Sequence, residues 1–351
     1  MPKTYRAAII GCGSISKAHA RGYQEVEETE LVAVADVHPK ALQERADEFN
    51  VRGRYRDYRE MIEKEKPDIV SICLWQGLHA EVTVGCAEMK VPGILCEKPM
   101  ATSLGEADAM IEAAQANGCK LAIGHQRRFL PTWNEAKRLL AAGVIGQPQM
   151  LYSRIADGLS NWGTHTVDCM RYMLNEVPTE WVIGQVERRT DRYERGQRIE
   201  DLCVGYIGFA GGVRAVLEAD IQREGAGAFG ITVYGSEGTL TFDERHLRLA
   251  SPRVGGVKEM TMETGNPWAE QAREMCRWLD GTIERHRGHA ANGRAVLEIL
   301  MAVYESARVR GLVRMPLRTK EYPLDLAVEQ GILPVEVEGK NDIRGFLVRK
   351  D

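Results

Sequence analysis

Short apolar runs alternate with amphipathic stretches through the first third of the chain. Residues 6–10, 31–35, 68–74, 94–96 and 120–124 read as strands. The run at 68–74 is nearly continuous in apolar residues, as expected of a parallel strand covered on both faces. Between the strands, residues 40–50, 58–66, 79–89 and 103–117 carry a helical period. Ser103 is placed to cap the last of these, with Glu106 at its third position and Gly118 after its end. Strands alternating with helices of this length predict a parallel, doubly wound α/β domain over residues 1–125.

Beyond residue 125 the rhythm changes. A helix at 132–142 and a strand at 150–155 precede a helical stretch at 161–174 that carries Trp162, His165, Asp168 and Arg171. Candidate strands then follow with little helix between them, at 180–188, 201–209, 212–221, 230–234, 239–242 and 246–249. Short glycine turns join several of them, which predicts a large, mostly antiparallel open sheet. Helices at 267–281 and 293–310 complete an α+β domain over residues 126–321. The tail, residues 322–351, is polar and loop-rich, with Leu324, Leu326, Val328, Ile332 and Leu333 as apolar anchors. That many apolar groups predict a segment docked on the second domain or on a neighbouring subunit.

Composition narrows the class. At 351 residues the chain exceeds what one core usually holds, so two domains are expected. A net charge of −4 offers no basic field for nucleic acid or an anionic membrane. No apolar run is long enough to span a bilayer, and Lys3 leads straight into the first strand without a secretory apolar region. The eight cysteines are scattered without a C-x-x-C pair, the pattern of reduced thiols in a cytoplasmic protein. His286 and His289 lie among arginines with no carboxylate or cysteine pattern, so they read as a surface feature and no metal is expected.

The chemistry begins at Gly11-Cys12-Gly13-Ser14-Ile15-Ser16, which follows the first strand and opens a helix. Asp36 ends the second strand, 25 positions beyond Gly11. This is the strand–turn–helix–strand context of a dinucleotide site. Gly11 permits the tight turn and Gly13 a close approach to a pyrophosphate. The helix N-terminus beyond Ser14 and Ile15 supplies N–H donors. Ser16 departs from the usual third glycine but is small. A carboxylate at Asp36 accepts hydrogen bonds from a ribose and repels a 2′-phosphate, which predicts NAD over NADP. Leu74, Trp75 and His79 occupy the segment beyond the third strand, and Glu97 and Lys98 lie beyond the fourth, where ligands of such sheets bind. His79 either serves the cofactor loop or caps its helix.

The whole chain from about residue 5 to 317 resembles the Gfo/Idh/MocA family of oxidoreductases. The resemblance rests on 8–13 and 32–36, on 70–79, on Glu97-Lys98-Pro99, on Arg127-Arg128-Phe129 and Gly146-Gln147-Pro148, on 164–168, and on the turn at 235–239. It implies an NAD(P)-dependent enzyme acting on sugars, cyclitols or related polyols, with Lys98 as the catalytic lysine and His165 as the general base. It also implies a C-terminal sheet that packs against its copy in a homodimer or homotetramer. Asn161 stands where the pattern often has Asp, and Trp75 replaces a frequent proline. Asn161 lies four before His165, where one helical face would bring the two together, so it joins the candidate catalytic and substrate-binding residues. Arg128 and Trp162 are further substrate candidates, although paired arginines also form structural ion pairs and tryptophans also pack in cores. Chemistry supports the assignment independently: oxidising an alcohol requires a base for the proton and a cation beside the developing alkoxide. Lys98 and His165 lie in different predicted domains, so a site between these is expected. Two other readings are an enzyme that retains NAD for a non-redox step, such as glycoside cleavage or epimerisation, and a non-catalytic sensor. The presence of both Lys98 and His165 argues against the sensor.

Overall fold

The computed structural model describes residues 3–220 and 230–347. They divide into two compact units: residues up to Phe129 with Asn266–Arg294, and Leu130–Gly265 with the residues from Ala295 onward.

In the first unit, strands β1 (Tyr5–Ile10), β2 (Thr29–Ala35), β3 (Gly53–Tyr55), β4 (Ile69–Ile72), β5 (Gly93–Cys96) and β6 (Lys120–Ile123) alternate with helices. These are α1 (Ser16–Glu25), α2 (Pro39–Glu48), α3 (Tyr58–Glu65), α4 (His79–Glu88) and α5 (Leu104–Ala116). The strand order β3-β2-β1-β4-β5-β6 is parallel throughout, so the order reverses between β1 and β4. Ligands of such sheets bind at that reversal, beyond the carboxyl ends of the strands. Every residue of β4 and β5 is buried, because helices cover both faces. Local signals set the helix starts. Pro39 opens α2, Asp57 caps α3 by accepting from the Arg59 amide, and Ser103 caps α5 by accepting from the Glu106 amide.

The second unit opens with α6 (Pro131–Ala141), β7 (Pro148–Ile155), a π turn at Leu159–Gly163 and α7 (Thr164–Met173). Next come β8 (Thr179–Glu187), β9 (Thr190–Glu194), β10 (Gln197–Arg198), β11 (Leu202–Phe209), β12 (Arg214–Asp220), β13 (Ile231–Gly235), β14 (Gly238–Phe242), β15 (His246–Ser251) and β16 (Gly256–Thr261). After α8 (Pro267–Leu279) the chain forms α9 (Ala290–Val309), β17 (Val313–Arg314), α10 (Pro323–Glu329) and β18 (Val337–Asp342). Nine strands form one sheet, β16-β15-β14-β13-β7-β12-β11-β8-β17, antiparallel except for the β7–β12 pair. Its strands alternate: Cys203, Gly205 and Ile207 of β11 are buried, while Val204 faces out. A smaller sheet, β10-β9-β18, stands apart from it.

The expected strand at 212–221 is β12 (Arg214–Asp220), and Ile221 lies outside the described residues. Two expectations need correction. The tail is not loop-rich up to residue 347, since it forms α10 and β18, with Leu324 fully buried; residues 348–351 lie outside the described part. α10 is too short to display a period, and β18 is an exposed polar edge strand with no alternation to read. Residues 266–294, expected in the second domain, join the first unit. There Ala269, Ala272, Met275 and Cys276 of α8 share a core with Ala20 and Tyr23 of α1 and Tyr5, Ala7 and Ile9 of β1. A Cβ on Gly22 of α1 would stand 2.9 Å from the Trp268 backbone, so this glycine permits the helices' close approach. The periodicity of 267–281 shows an apolar face but not which sheet receives it.

Candidate functional site

In the first unit, β1 runs into a turn in which Gly11 has φ of 94° and donates its amide to the Ala35 carbonyl at 2.8 Å. A Cβ there would lie 2.6 Å from the Cys73 carbonyl oxygen and 2.8 Å from the Leu74 side chain, so the position accepts only glycine. Gly13 is different: nothing stands within 4 Å of where its Cβ would be. α1 then starts without a side-chain cap and without an acid in its first turn, which leaves its amide end suited to an anion. Ser14 is exposed and Ile15 half-buried on this turn.

The departure at Ser16 has a physical reason. Its hydroxyl donates to the Gly13 carbonyl at 2.6 Å and accepts from Nε of the buried Arg45 at 2.8 Å. Nη2 of Arg45 also donates to the carbonyls of Cys12 (3.2 Å) and Gly13 (3.0 Å). Ser16 and Arg45 thus brace the turn from within. Asp36 accepts from the Cys12 amide at 2.7 Å and the His38 amide at 2.8 Å, which fixes its half-buried carboxylate beside the same turn. Each carboxylate oxygen retains capacity for a further donor. An open cradle at Gly13, an uncapped helix end and an oriented acid fit a dinucleotide.

A buried network ties α1 to the segment after β5. His19 contacts Ser71 Oγ through Nδ1 (3.0 Å) and Glu97 Oε1 through Nε2 (2.8 Å), and the Tyr23 hydroxyl meets the same Ser71 at 2.7 Å. Burial pushes the Glu97 carboxyl up, but the hydrogen bond and charge of His19 and the charge of Lys98 outweigh it and hold the group below its ordinary value. The Lys98 amide donates to Glu97 Oε2 at 3.2 Å. His79 is buried, with Nδ1 2.8 Å from the Pro99 carbonyl and Nε2 3.0 Å from that of Leu74. It therefore joins the loop after β4, which carries half-buried Leu74 and Trp75, to the loop after β5. Arg128 is buried and donates from Nη1 to the Arg287 carbonyl at 2.9 Å, a tie within the first unit. His286, expected at the surface, is buried. It accepts from the Gly288 amide, contacts the Gln271 carbonyl, and lies among the rings of Phe129 and Trp278.

In the second unit, Asn161, Trp162 and His165 fall together, but on two kinds of helix. Asn161 and Trp162 belong to the π turn and His165 to the first turn of α7. The simple four-residue spacing of one α-helix therefore does not describe them. The Trp162 and His165 rings meet edge to face at 5.9 Å, and Asn161 and His165 are buried. The Asn161 amide donates to Glu194 of β9 at 2.6 Å. Beneath the turn, the Leu159 amide donates to Glu200 at 2.6 Å, the Tyr304 hydroxyl donates to the same carboxylate, and Ser160 meets Tyr304 and Tyr322. Burial raises the Glu200 carboxyl above its ordinary value despite these bonds. Glu194, Glu200 and Tyr322 are the residues that sequence reasoning missed. None has a motif around it: Glu194 ends β9, Glu200 lies between β10 and β11, and Tyr322 precedes α10, so only the folded chain brings them to the turn.

The geometry defines an NAD-binding Rossmann unit joined in sequence to a large-sheet domain, the build of a cofactor-dependent oxidoreductase. The model of the oxidoreductase family with NAD-binding Rossmann fold, GFO_IDH_MocA, matches residues 5–125, and the GFO/IDH/MocA C-terminal domain matches residues 133–241. The chain belongs to this family and is an NAD-dependent oxidoreductase. Among similar proteins, the myo-inositol 2-dehydrogenase of Thermotoga maritima is 27% identical over 80% of this chain and 84% of its own length. The D-apiose dehydrogenase of Paraburkholderia graminis is 24% identical over 94% of each chain. An oxidoreductase from Agrobacterium radiobacter, crystallised with NAD+, L-tartaric acid and magnesium, shares the fold with a TM-score of 0.78 at 20% identity, covering 89% of this chain and 98% of its own. Among the described residues, no helix is long and apolar enough to cross a membrane.

Proposed function

We propose that this enzyme oxidises a secondary hydroxyl of a sugar, cyclitol or related polyol, reversibly, with His165 as base and Lys98 assisting. The names of the inositol and apiose dehydrogenases favour this substrate class. The observation that carries the reading is the joint presence of Lys98, set after β5 by the buried Glu97, and His165, buried next to the π turn that holds Asn161. When bound, NAD supplies the nicotinamide carbon that takes the hydride. His165 accepts the hydroxyl proton, which suits an imidazole near neutral pH. The Lys98 ammonium lowers the energy of the oxygen as it gains negative charge. Asn161 binds a substrate hydroxyl, and Trp162 gives the sugar ring an apolar wall. Arg128, which gives Nη1 to the Arg287 carbonyl, stays a candidate substrate-binding residue in this reading.

The enzyme is further proposed to form a homo-oligomer through the open face of the nine-stranded sheet. Ile183, Tyr206, Val216 and Tyr152 follow one another across β8, β11, β12 and β7 on that face. Ile183 and Val204 are large apolar residues left exposed there.

The test is a screen of polyols and sugars, myo-inositol and D-apiose included, for NADH formation, repeated with Lys98→Ala and His165→Ala. Each variant is expected to lose about a hundredfold or more in kcat. Near wild-type turnover in either one overturns its assignment. NAD that stays bound through purification, with no net NADH formed from any polyol, would favour a non-redox reaction instead.

A further inference from the structure

β9 is a polar strand, and its partner on one side, β10, is two residues long. β18 supplies the other side. The Glu336 and Val337 amides donate to the Arg189 carbonyl at 2.7 and 3.0 Å, and the Ile343 amide donates to the Tyr193 carbonyl at 2.9 Å. Asp342 accepts from the Arg195 and Gly196 amides, at 3.0 and 2.8 Å, in the turn between β9 and β10. Arg195 has positive φ, which is uncommon for a residue with a side chain, so this carboxylate also helps hold the turn. The register of β18 on β9 is thus fixed at several points.

That register delivers Arg344 to the end of β9. Its Nη2 donates to Asp157 at 2.8 Å, and its Nε lies 3.4 Å from Glu194 Oε1. The Glu194 side chain is 1% exposed, and the same Oε1 accepts the Asn161 amide at 2.6 Å. A carboxylate withdrawn from water needs compensating charge, and Arg344 brings a guanidinium to it. The fork spans two acids, Asp157 on the loop before the π turn and Glu194 on β9, and so fastens the loop to the strand. One guanidinium against two carboxylates leaves no positive surplus, so the cluster is not built to hold an anion. Its effect falls on Asn161. With Nδ2 given to Glu194, the donor and acceptor edges of the amide are set.

We propose that Arg344 is a positioning residue of the polyol site, acting through Glu194 and Asp157 to orient Asn161. Residue 344 lies beyond both family matches, and neither assigns it a role. The inference rests on the substrate role proposed above for Asn161. It makes the segment that carries β18 a working part of the site.

The experiment is a double-mutant cycle on the full chain with saturating NAD and the polyol of highest turnover in the screen. Arg344→Gln is expected to lower kcat/KM by about tenfold to a hundredfold, the range for a misplaced site group. NAD affinity should stay within about twofold, since the cofactor cradle belongs to the first unit; Arg344→Lys should recover part of the loss. Arg344→Gln/Asn161→Ala should be no slower than Asn161→Ala alone, because the two act as one unit. Wild-type kcat/KM in Arg344→Gln overturns the proposal, as does a double variant that loses the product of the two singles. If Arg344→Gln does not fold, the same cycle is run with Arg344→Lys and judged by the same coupling. His165→Ala, measured alongside, reports on the proposed base separately and does not enter the cycle.

Discussion

His19 and Glu97, 78 positions apart, meet at 2.8 Å with their side chains only 1% and 5% exposed. The contact joins the helix that follows the glycine turn to the residue before Lys98. It fastens the cofactor cradle to a candidate catalytic group within one unit. Removing His19 leaves a buried carboxylate without this partner. His19→Ala is therefore expected to cost about 3 kcal/mol in urea unfolding at neutral pH. His19→Ala/Glu97→Gln should recover part of that loss, because the buried charge goes too. Strictly additive losses would show that the two do not act as a pair.

Asp36, held by the Cys12 and His38 amides, predicts cofactor choice. Wild type should favour NAD over NADP in kcat/KM by about tenfold or more, the weight of a single 1.4 kcal/mol interaction. Asp36→Ala should narrow that ratio, mainly by losing NAD. Equal use of both cofactors by the wild type would refute the assignment.

His286 predicts an acid-sensitive fold. Burial pushes its imidazole down to about 4, against the partly opposing charge of Glu274. The unfolded chain takes up this proton as pH falls through the ordinary value near 6.5, and the folded chain does not until about 4. Stability from this group is therefore present above about 6.5 and is lost as pH falls towards 4, by up to about 3 kcal/mol. Urea midpoints at pH 7 and pH 5 should differ less in His286→Phe, which keeps a ring beside Phe129 and Trp278. An unchanged difference would rule His286 out as the source.

Much of this was legible in the sequence because it is local. Apolar runs, the glycine turn and the caps at Asp57 and Ser103 announce themselves within a few residues. His286 reads as exposed because arginines flank it, while Phe129 and Trp278, which bury it, are not its neighbours in sequence. The helical spacing of Asn161 and His165 suggested a direct pair. The π turn and the strand bearing Glu194 gave the amide of Asn161 a partner that periodicity has no means of naming. β9 and β18 were missed because neither alternates: β9 is polar and half-buried along its length with Glu194 buried at its end, and β18 is exposed.

The path of the chain through its two units bears on how the protein is made. It builds most of the first unit, leaves, returns with α8 and then leaves again. A nascent chain released up to residue 125 has α1 but not α8, so Ala20 and Tyr23 wait for Ala269 and Met275 while eight of the nine strands of the large sheet are still being translated. The turn after β9 waits similarly for Asp342, which follows Arg195 by 147 residues. Closing a loop that long costs entropy before any contact repays it. A ribosome stalled before α8 would hold a chain with both the apolar face of α1 and the small sheet open, a natural client for chaperones. Fragments cut at the apparent boundary near residue 125 should for the same reason expose an apolar helix face and aggregate.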